Sequence, residues 1–244
     1  MLSMLRHTYK KILSLLVFSI ILSGCMFPND ELAKNKTPNE DQLLIVQNAV
    51  EAYAEETGGL LPIKTKDADS DIYEKYLIDF PKLLETNFIS EIPGNAYENG
   101  GIYLYTIVNP EDNPEVKLID LQLSEKIRSI NVKLDIYRSK NLYPPYGEEV
   151  ADGLFKINYE KLKFKEEQYV KSPYTQNNLP IIMNTDGEIF IDYRSDFMTI
   201  MQENNYRFKK DEDIRYIYHD QSPFVPVYSL PYTEKNNEPI FKTN

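Results

Sequence analysis

The chain has 244 residues, of which 42% are hydrophobic, and carries 27 basic and 38 acidic residues for a net charge of −11. This size suits one large domain or two small ones, and the apolar content is sufficient for a core. The acidic balance argues against binding nucleic acid or anionic lipid head groups through net charge, because both are polyanionic. We therefore expect no nucleic-acid partner.

The first 24 residues have the pattern of a secretory signal peptide. Arg6, Lys10 and Lys11 precede an apolar run over residues 12–22, and this order is typical of such a signal. The run is well short of the roughly 20 apolar residues that span a bilayer as a helix, and the polar sequence after Phe27 prevents its extension. An uncleaved signal anchor is the alternative.

Cys25 is the only cysteine, and it follows Leu22, Ser23 and Gly24. This segment resembles the lipobox of bacterial lipoproteins. The resemblance implies cleavage between Gly24 and Cys25 and a diacylglycerol on the Cys25 sulfur, which would anchor the protein stably on the outer face of the cell membrane. No disulfide is then available, and this combination favours a Gram-positive envelope.

The proposed cleavage makes the mature chain more acidic and leaves a short tether. Residues 1–24 contain three basic and no acidic residues, so their removal changes the net charge from −11 to −14. Residues 25–36 would form the lipidated cysteine and a polar tether spanning about 20 Å. The folded part is therefore expected close to the membrane.

Residues 37–121 are predicted to form a first α+β repeat. Thr37-Pro38-Asn39-Glu40 is a capping box, and apolar residues at positions 43, 46, 50 and 53 make one helix face. Gly58-Gly59 ends this helix. After a connector with Leu61-Pro62, the segment IDFPKLL and Pro93, an antiparallel hairpin is predicted over 102–108 and 116–121.

Residues 122–194 repeat this order. A helix with apolar positions 127, 130, 134 and 137 is predicted behind Ser124 as its cap, and Tyr143-Pro144 corresponds to Leu61-Pro62. INYEKLK (157–163) corresponds to IDFPKLL and Pro173 to Pro93, before a hairpin over 180–184 and 188–193. This order favours a duplication into two tandem domains, each with a helix covering a small sheet. Two unrelated α+β segments are the alternative.

The order of elements in each half also resembles the globular part of type II secretion pseudopilins. That resemblance concerns the fold alone, because the chain has neither a prepilin cleavage signature nor the tryptophan usual in the pseudopilin loop.

Residues 195–244 form a Pro- and Tyr-rich C-terminal extension. A short helix is predicted behind Ser195, a strand over 214–218, and an extended segment over 222–232, because Pro223 and Pro226 exclude a regular helix or a central strand. The extended segment is expected to lie over the second domain. The alternative is a partner-binding surface, whose anchors would be the aromatic residues Phe224, Tyr228 and Tyr232.

Over its full length the chain resembles the YphF lipoproteins of spore-forming bacteria. The resemblance includes the Pro- and Tyr-rich end and no diagnostic catalytic motif. It implies a lipid-anchored envelope protein and adds no site residues.

The sequence lacks the common catalytic and metal-binding motifs. It has no Gly-x-Ser-x-Gly and no phosphate-binding glycine loop. Beyond the signal peptide His219 is the only histidine, predicted to be solvated at a strand end, and a single histidine cannot supply a zinc cluster. Asp67, Asp69 and Asp71 alternate as in an EF-hand, but Ile72 stands where the loop requires glycine. Two interpretations of this segment remain: a looser calcium site and a solvated acidic loop.

These observations favour a non-enzymatic, lipid-anchored envelope protein that contacts a partner protein or a wall polymer. We expect no catalytic residue, no metal and no cofactor. A solute-binding lipoprotein of an ABC-type importer is the alternative, although the mature chain is small for two lobes closing over a cleft. The third hypothesis is an enzyme, which the sequence favours least because no motif identifies a pair of catalytic carboxylates.

Overall fold

The computed structural model describes residues 40–67 and 70–242. The predicted signal peptide, Cys25, the tether and the first three residues of the capping box lie outside these ranges. The described residues belong to one compact unit with an α+β fold. Within the described ranges, no helix is long and apolar enough to cross a membrane.

The first part of the fold follows the predicted order. It contains helix α1 (Glu40–Thr57), helix α2 (Phe80–Glu85), a 3-10 turn (Tyr97–Asn99) and strands β1 (Tyr103–Val108) and β2 (Glu115–Asp120). The predicted apolar face of α1 is the buried one, and the left-handed Gly58 and Gly59 end the helix. Strands β1 and β2 form the predicted antiparallel hairpin.

Helix α3 (Leu121–Arg138) begins directly after β2, four residues earlier than predicted. The carboxylate of Asp120 accepts a hydrogen bond from the Gln122 amide at 2.8 Å and caps the helix. Ser124 therefore lies inside α3. Asp120 and Ser124 are both residue types that cap helices, and the sequence did not distinguish them. Because β2 ends at Asp120, the helix begins directly after that residue.

The second sheet contains the predicted hairpin and three further strands. Strands β3 (Tyr146–Ala151), β4 (Leu154–Ile157), β6 (Asn178–Asn184) and β5 (Tyr169–Lys171) pair in that order, and β7 (Ile189–Ile191) pairs with β6. The hairpin β6–β7 was predicted. The sequence did not indicate β3, β4 and β5, because β3 and β5 are largely exposed and lack a clear apolar alternation.

Backbone pairing occurs in the same order in the two predicted repeats. In the first, residue 63 bridges 78, and residue 77 bridges 106 on β1, which pairs with β2. In the second, residue 146 pairs with 157, and residue 156 pairs with 182 on β6, which pairs with β7. This common order supports the duplication, which stays a hypothesis.

The hydrogen bonds refine the correspondence between the repeats. The Asp79 amide donates to the Pro62 carbonyl at 2.8 Å, and the Asn158 amide donates to the Pro145 carbonyl at 2.8 Å. Pro62 therefore corresponds to Pro145, one residue beyond the predicted match with Pro144. The segment 157–163 also differs from its counterpart, because residues 159–163 form a turn where the first repeat has α2.

The C-terminal extension departs most from the prediction. Helix α4 (Arg194–Glu203) is present, but its N-cap is Tyr193 and not Ser195. The predicted strand over 214–218 is wrong, because helix α5 (Tyr216–Asp220) covers most of it. A final hairpin pairs β8 (Tyr232–Lys235) with β9 (Glu238–Phe241). Its turn residues Asn236 and Asn237 both have positive φ, as a tight hairpin requires.

A buried aromatic cluster holds α4 and α5 against the hairpin β8–β9. The rings of Tyr193, Phe197, Tyr218 and Tyr232 are fully buried, with centroid separations between 4.8 and 6.3 Å. The Tyr193 hydroxyl donates to the Val227 carbonyl at 3.0 Å. These tyrosines thus serve packing, and the hydroxyls of Tyr193 and Tyr232 form hydrogen bonds inside the core.

Asp196 provides a buried polar connection next to this cluster. Its carboxylate accepts hydrogen bonds from Ser172 Oγ at 2.5 Å and Thr175 Oγ1 at 2.6 Å, and its side chain is fully buried. Burial raises the pKa of Asp196, and the two hydroxyl donors lower it in part. This network attaches α4 to the loop before β6.

Candidate functional site

Residues 222–230, called the strap below, connect the outer strands of the two sheets. The Leu118 amide on β2 donates to the Pro223 carbonyl at 2.8 Å, and the Val225 amide donates back to Leu118 at 3.0 Å. Farther along, the Ile191 amide on β7 donates to the Tyr228 carbonyl at 2.9 Å. The strap therefore contacts both predicted domains, and not the second alone as the sequence suggested.

Two of the three predicted partner anchors, Phe224 and Tyr232, are buried in the core. Phe224 is 3% exposed and packs on Tyr103 at 5.6 Å between ring centroids. Tyr232 is fully buried against Phe197 at 4.8 Å. Neither ring is available on the surface, which corrects the prediction for both residues. Tyr228 is partly exposed and is the one anchor candidate that a partner could reach.

Tyr228 lines a groove of about 810 Å³ between β1, α3 and the strap. Ile102, Leu104 and Ile127 supply apolar walls, and Gln122 and Asn131 supply amide groups. Tyr97 and Val132 form the rim and are 61% and 53% exposed. The groove therefore offers apolar surface to solvent at the place where the first hairpin meets α3.

The backbone of Tyr228 has a conformation that bulky residues rarely adopt. Its φ is 54°, in the left-handed region, where a residue with a Cβ is destabilised by roughly 1–2 kcal/mol. Hydrogen bonds fix the backbone at this point, because the Val227 carbonyl accepts from the Tyr193 hydroxyl and the Tyr228 carbonyl accepts from the Ile191 amide. Burial raises the pKa of the Tyr228 hydroxyl, and a hydrogen bond to Ser124 lowers it in part. Such strain is enriched at binding sites.

The charged side chains of the groove are mixed in sign. Glu125 and Asp135 contribute two carboxylates, and Arg128 contributes one guanidinium, all from the exposed side of α3. With the acidic balance of the whole chain, this composition favours an occupant that combines apolar groups with a positive charge.

His219 is buried, and not solvated at a strand end as predicted. It lies on α5 and is 4% exposed. Burial and the nearby Lys117 lower its pKa to about 4, against a smaller opposing effect of Glu115. The polar neighbours Asp220 and Gln221 suggested an exposed segment, but the helical turn directs the imidazole inward. His219 does not line the groove.

The acidic segments of the sequence do not assemble into a metal centre in the described part of the chain. No group of three or more His, Cys, Asp or Glu residues could hold a metal there. Asp71 accepts a hydrogen bond from the Tyr73 amide at 2.9 Å, while Asp69 lies outside the described residues. In the acidic segment over residues 211–213, Asp213 pairs with Arg215 at 2.6 Å.

The sequence contained a signal for the groove that periodicity alone did not reveal. Val132 and Ile136 stand four residues apart on the outer face of α3 and are more than half exposed, and Val132 lines the groove while Ile136 lies outside its lining. Two apolar residues at this spacing outside the core-facing stripe indicate a surface available for binding.

Residues 39–120 match the family model for the YphF family N-terminal domain. The matched segment runs from the start of α1 to Asp120, the last residue of β2, and so covers the first predicted repeat. Comparisons with curated proteins and with solved structures give no match. Over about a third of its length, then, the chain is similar to the YphF type.

Proposed function

We propose that this chain is a lipid-anchored protein of the extracytoplasmic face of the cell membrane that binds a segment of a partner protein in the groove. The proposed role is binding, without enzymatic activity. The anchor rests on the lipobox at Leu22–Cys25. The binding site rests on the exposed apolar groove and on the left-handed Tyr228 within it.

The openness of the groove favours a polypeptide segment over a small solute. Sites for small ligands bury most of the ligand surface, whereas the rim residues Tyr97 and Val132 are themselves more than half exposed. An extended segment can fill the groove and continue out of it at both ends. The same observation weighs against the solute-binding alternative.

The occupant is a segment with apolar side chains and a basic residue. Ile102, Leu104 and Val132 would contact the apolar side chains, and Gln122 and Asn131 have amides that can pair with an extended backbone. Glu125 and Asp135 would attract the basic residue. Tyr228 would be the aromatic anchor at the end of the groove that the strap forms.

Peptide display on the immobilised full-length chain tests this proposal. The expected result is enrichment of peptides that combine apolar residues with lysine or arginine. Changing Tyr228→Gly should weaken their binding by about tenfold or more. The matched control is Tyr143→Ala, which removes a tyrosine that is 69% exposed and lies outside the groove.

Two outcomes contradict the proposal. One is the absence of any enriched sequence class. The other is enrichment of peptides that bind the Tyr228→Gly variant as tightly as the unchanged protein.

A further inference from the structure

A second cavity, of about 300 Å³, lies between the connector before α2, the turn of the hairpin β1–β2 and helix α5. We call it the Arg215 pocket. It shares no lining residue with the groove. Its polar walls are Asn109, Asp213, Arg215 and His219.

His219 contributes to the wall of this pocket and carries a buried unsatisfied nitrogen. Its Nδ1 is buried and has no hydrogen-bond partner, with the closest carboxylate, that of Asp220, 3.7 Å away. An unpaired buried polar group is unfavourable, and native proteins keep few of them. The edge of the Tyr73 ring lies near the imidazole, with 6.2 Å between centroids.

The charged groups of the pocket neutralise each other. The Arg215 guanidinium binds both carboxylate oxygens of Asp213, with its closest contact at 2.6 Å, and donates a further hydrogen bond to the Ser229 carbonyl at 3.3 Å. An anion would therefore find no uncommitted cation among the lining side chains. A cation would meet a carboxylate that is already paired.

Two cations that contact or adjoin lining residues are also engaged. Lys117 pairs with Glu115 at 3.3 Å and donates to the His219 carbonyl, and Lys75 lies over the ring of Tyr76 at 5.6 Å. The imidazole of His219 is neutral at ordinary pH because burial lowers its pKa. The lining thus suits a neutral molecule that forms hydrogen bonds.

The remaining walls are aromatic and aliphatic. Tyr73, Tyr76 and Tyr216 line the pocket together with Ile107 and Val108. Tyrosine rings present an apolar face and a polar edge, and pockets of this volume lie at the small end of ligand sites.

We propose that the Arg215 pocket binds a single neutral sugar unit. The tyrosine rings would contact the apolar face of the sugar, while Asn109, Asp213 and His219 would bind its hydroxyl groups. This site is independent of the groove and of the function proposed for it. It would give the protein a contact with a glycan in addition to its contact with a polypeptide.

Titration of the full-length chain followed by ¹⁵N NMR of the histidine rings tests the proposal. The sequence has only two histidines, His7 and His219, so a His219→Gln variant assigns the signals. The probes are glucose and N-acetylglucosamine, with inorganic phosphate and protonated glucosamine as charged comparators. The expected result is a saturable shift of the His219 signal by a neutral sugar, and a weaker response to both charged probes.

Matched variants separate this site from the groove. Tyr216→Ala removes a partly exposed lining ring and should weaken sugar binding by about fivefold. Tyr228→Gly and Tyr143→Ala should leave it unchanged. The proposal is overturned if no neutral sugar moves the His219 signal, if phosphate moves it more than a neutral sugar does, or if Tyr216→Ala binds the sugar as before.

Discussion

Lowering the pH from 7 to 5 should destabilise this protein through one residue, His219. In the unfolded chain a histidine takes up its proton near pH 6.5. In the folded protein burial and Lys117 lower the pKa of His219 to about 4. The unfolded state therefore binds more protons between these values, and stability is lost as the pH falls below 6.5. Lys117 and Glu115 on β2, Asp220 on α5 and Tyr73 are the ionisable groups around the ring.

The size of the effect follows from the two pKa values. Between pH 7 and pH 5 the free energy of unfolding should fall by about 2 kcal/mol because of His219 alone. In a domain of this size that corresponds to a decrease in Tm of roughly 4–8 °C. Carboxyls with raised pKa values, such as Asp120 and Asp196, act in the opposite direction, because their folded forms take up protons at higher pH.

The assay is urea denaturation of the full-length chain and of a His219→Gln variant at pH 7 and pH 5. Glutamine keeps a polar side chain and does not titrate, while the carboxyl contributions are common to both proteins and cancel in the comparison. The variant should lose about 2 kcal/mol less than the unchanged protein between the two pH values. Equal losses in both proteins, or an imidazole that titrates near pH 6.5 in the native state, would refute the reasoning.

Two further predictions concern backbone strain and the buried carboxylate. The Tyr228→Gly variant should be more stable than the Tyr228→Ala variant by about 1 kcal/mol. Both substitutions remove the ring, and only alanine keeps the strain of the left-handed backbone at φ 54°. Equal urea midpoints for the two variants would show that the backbone of Tyr228 is not strained. Asp196→Ala should cost about 2–4 kcal/mol, because it removes the acceptor to which the buried Ser172 hydroxyl and the partly buried Thr175 hydroxyl donate. The exposed control Asp186→Ala should stay within about 0.5 kcal/mol, and a similar change in both variants would contradict the role given to Asp196.

Hydrophobic periodicity predicted helices α1 and α3, and turn residues helped to predict the hairpins β1–β2 and β6–β7. Helices α1 and α3 bury the stripes that their spacing indicated, and both predicted hairpins formed. Helix α5 was missed because Tyr216, Ile217 and Tyr218 are residue types that favour strands. Tertiary packing decides that segment, since Ile217 and Tyr218 are buried as a helix against the aromatic cluster.

The candidate sites were less predictable than the fold. The sequence nominated Phe224, Tyr228 and Tyr232 together, because all three are aromatic residues in an extended segment. Only the pairing of the strap with β2 and β7 shows which ring reaches solvent. The Arg215 pocket joins residues from positions 72–76, 107–110 and 213–219, and no local pattern in the sequence brings these segments together.

The most direct test of the binding function is photo-cross-linking in the intact envelope. A photoreactive residue at Val132, on the rim of the groove, is compared with one at Leu142, which is exposed and outside the groove. We expect that only the Val132 probe captures one protein in fixed proportion and that the captured site contains apolar residues beside a lysine or arginine. We also expect that Tyr228→Gly abolishes the capture. Capture of the same protein from both positions, or capture unaffected by Tyr228→Gly, would contradict the groove as the binding site.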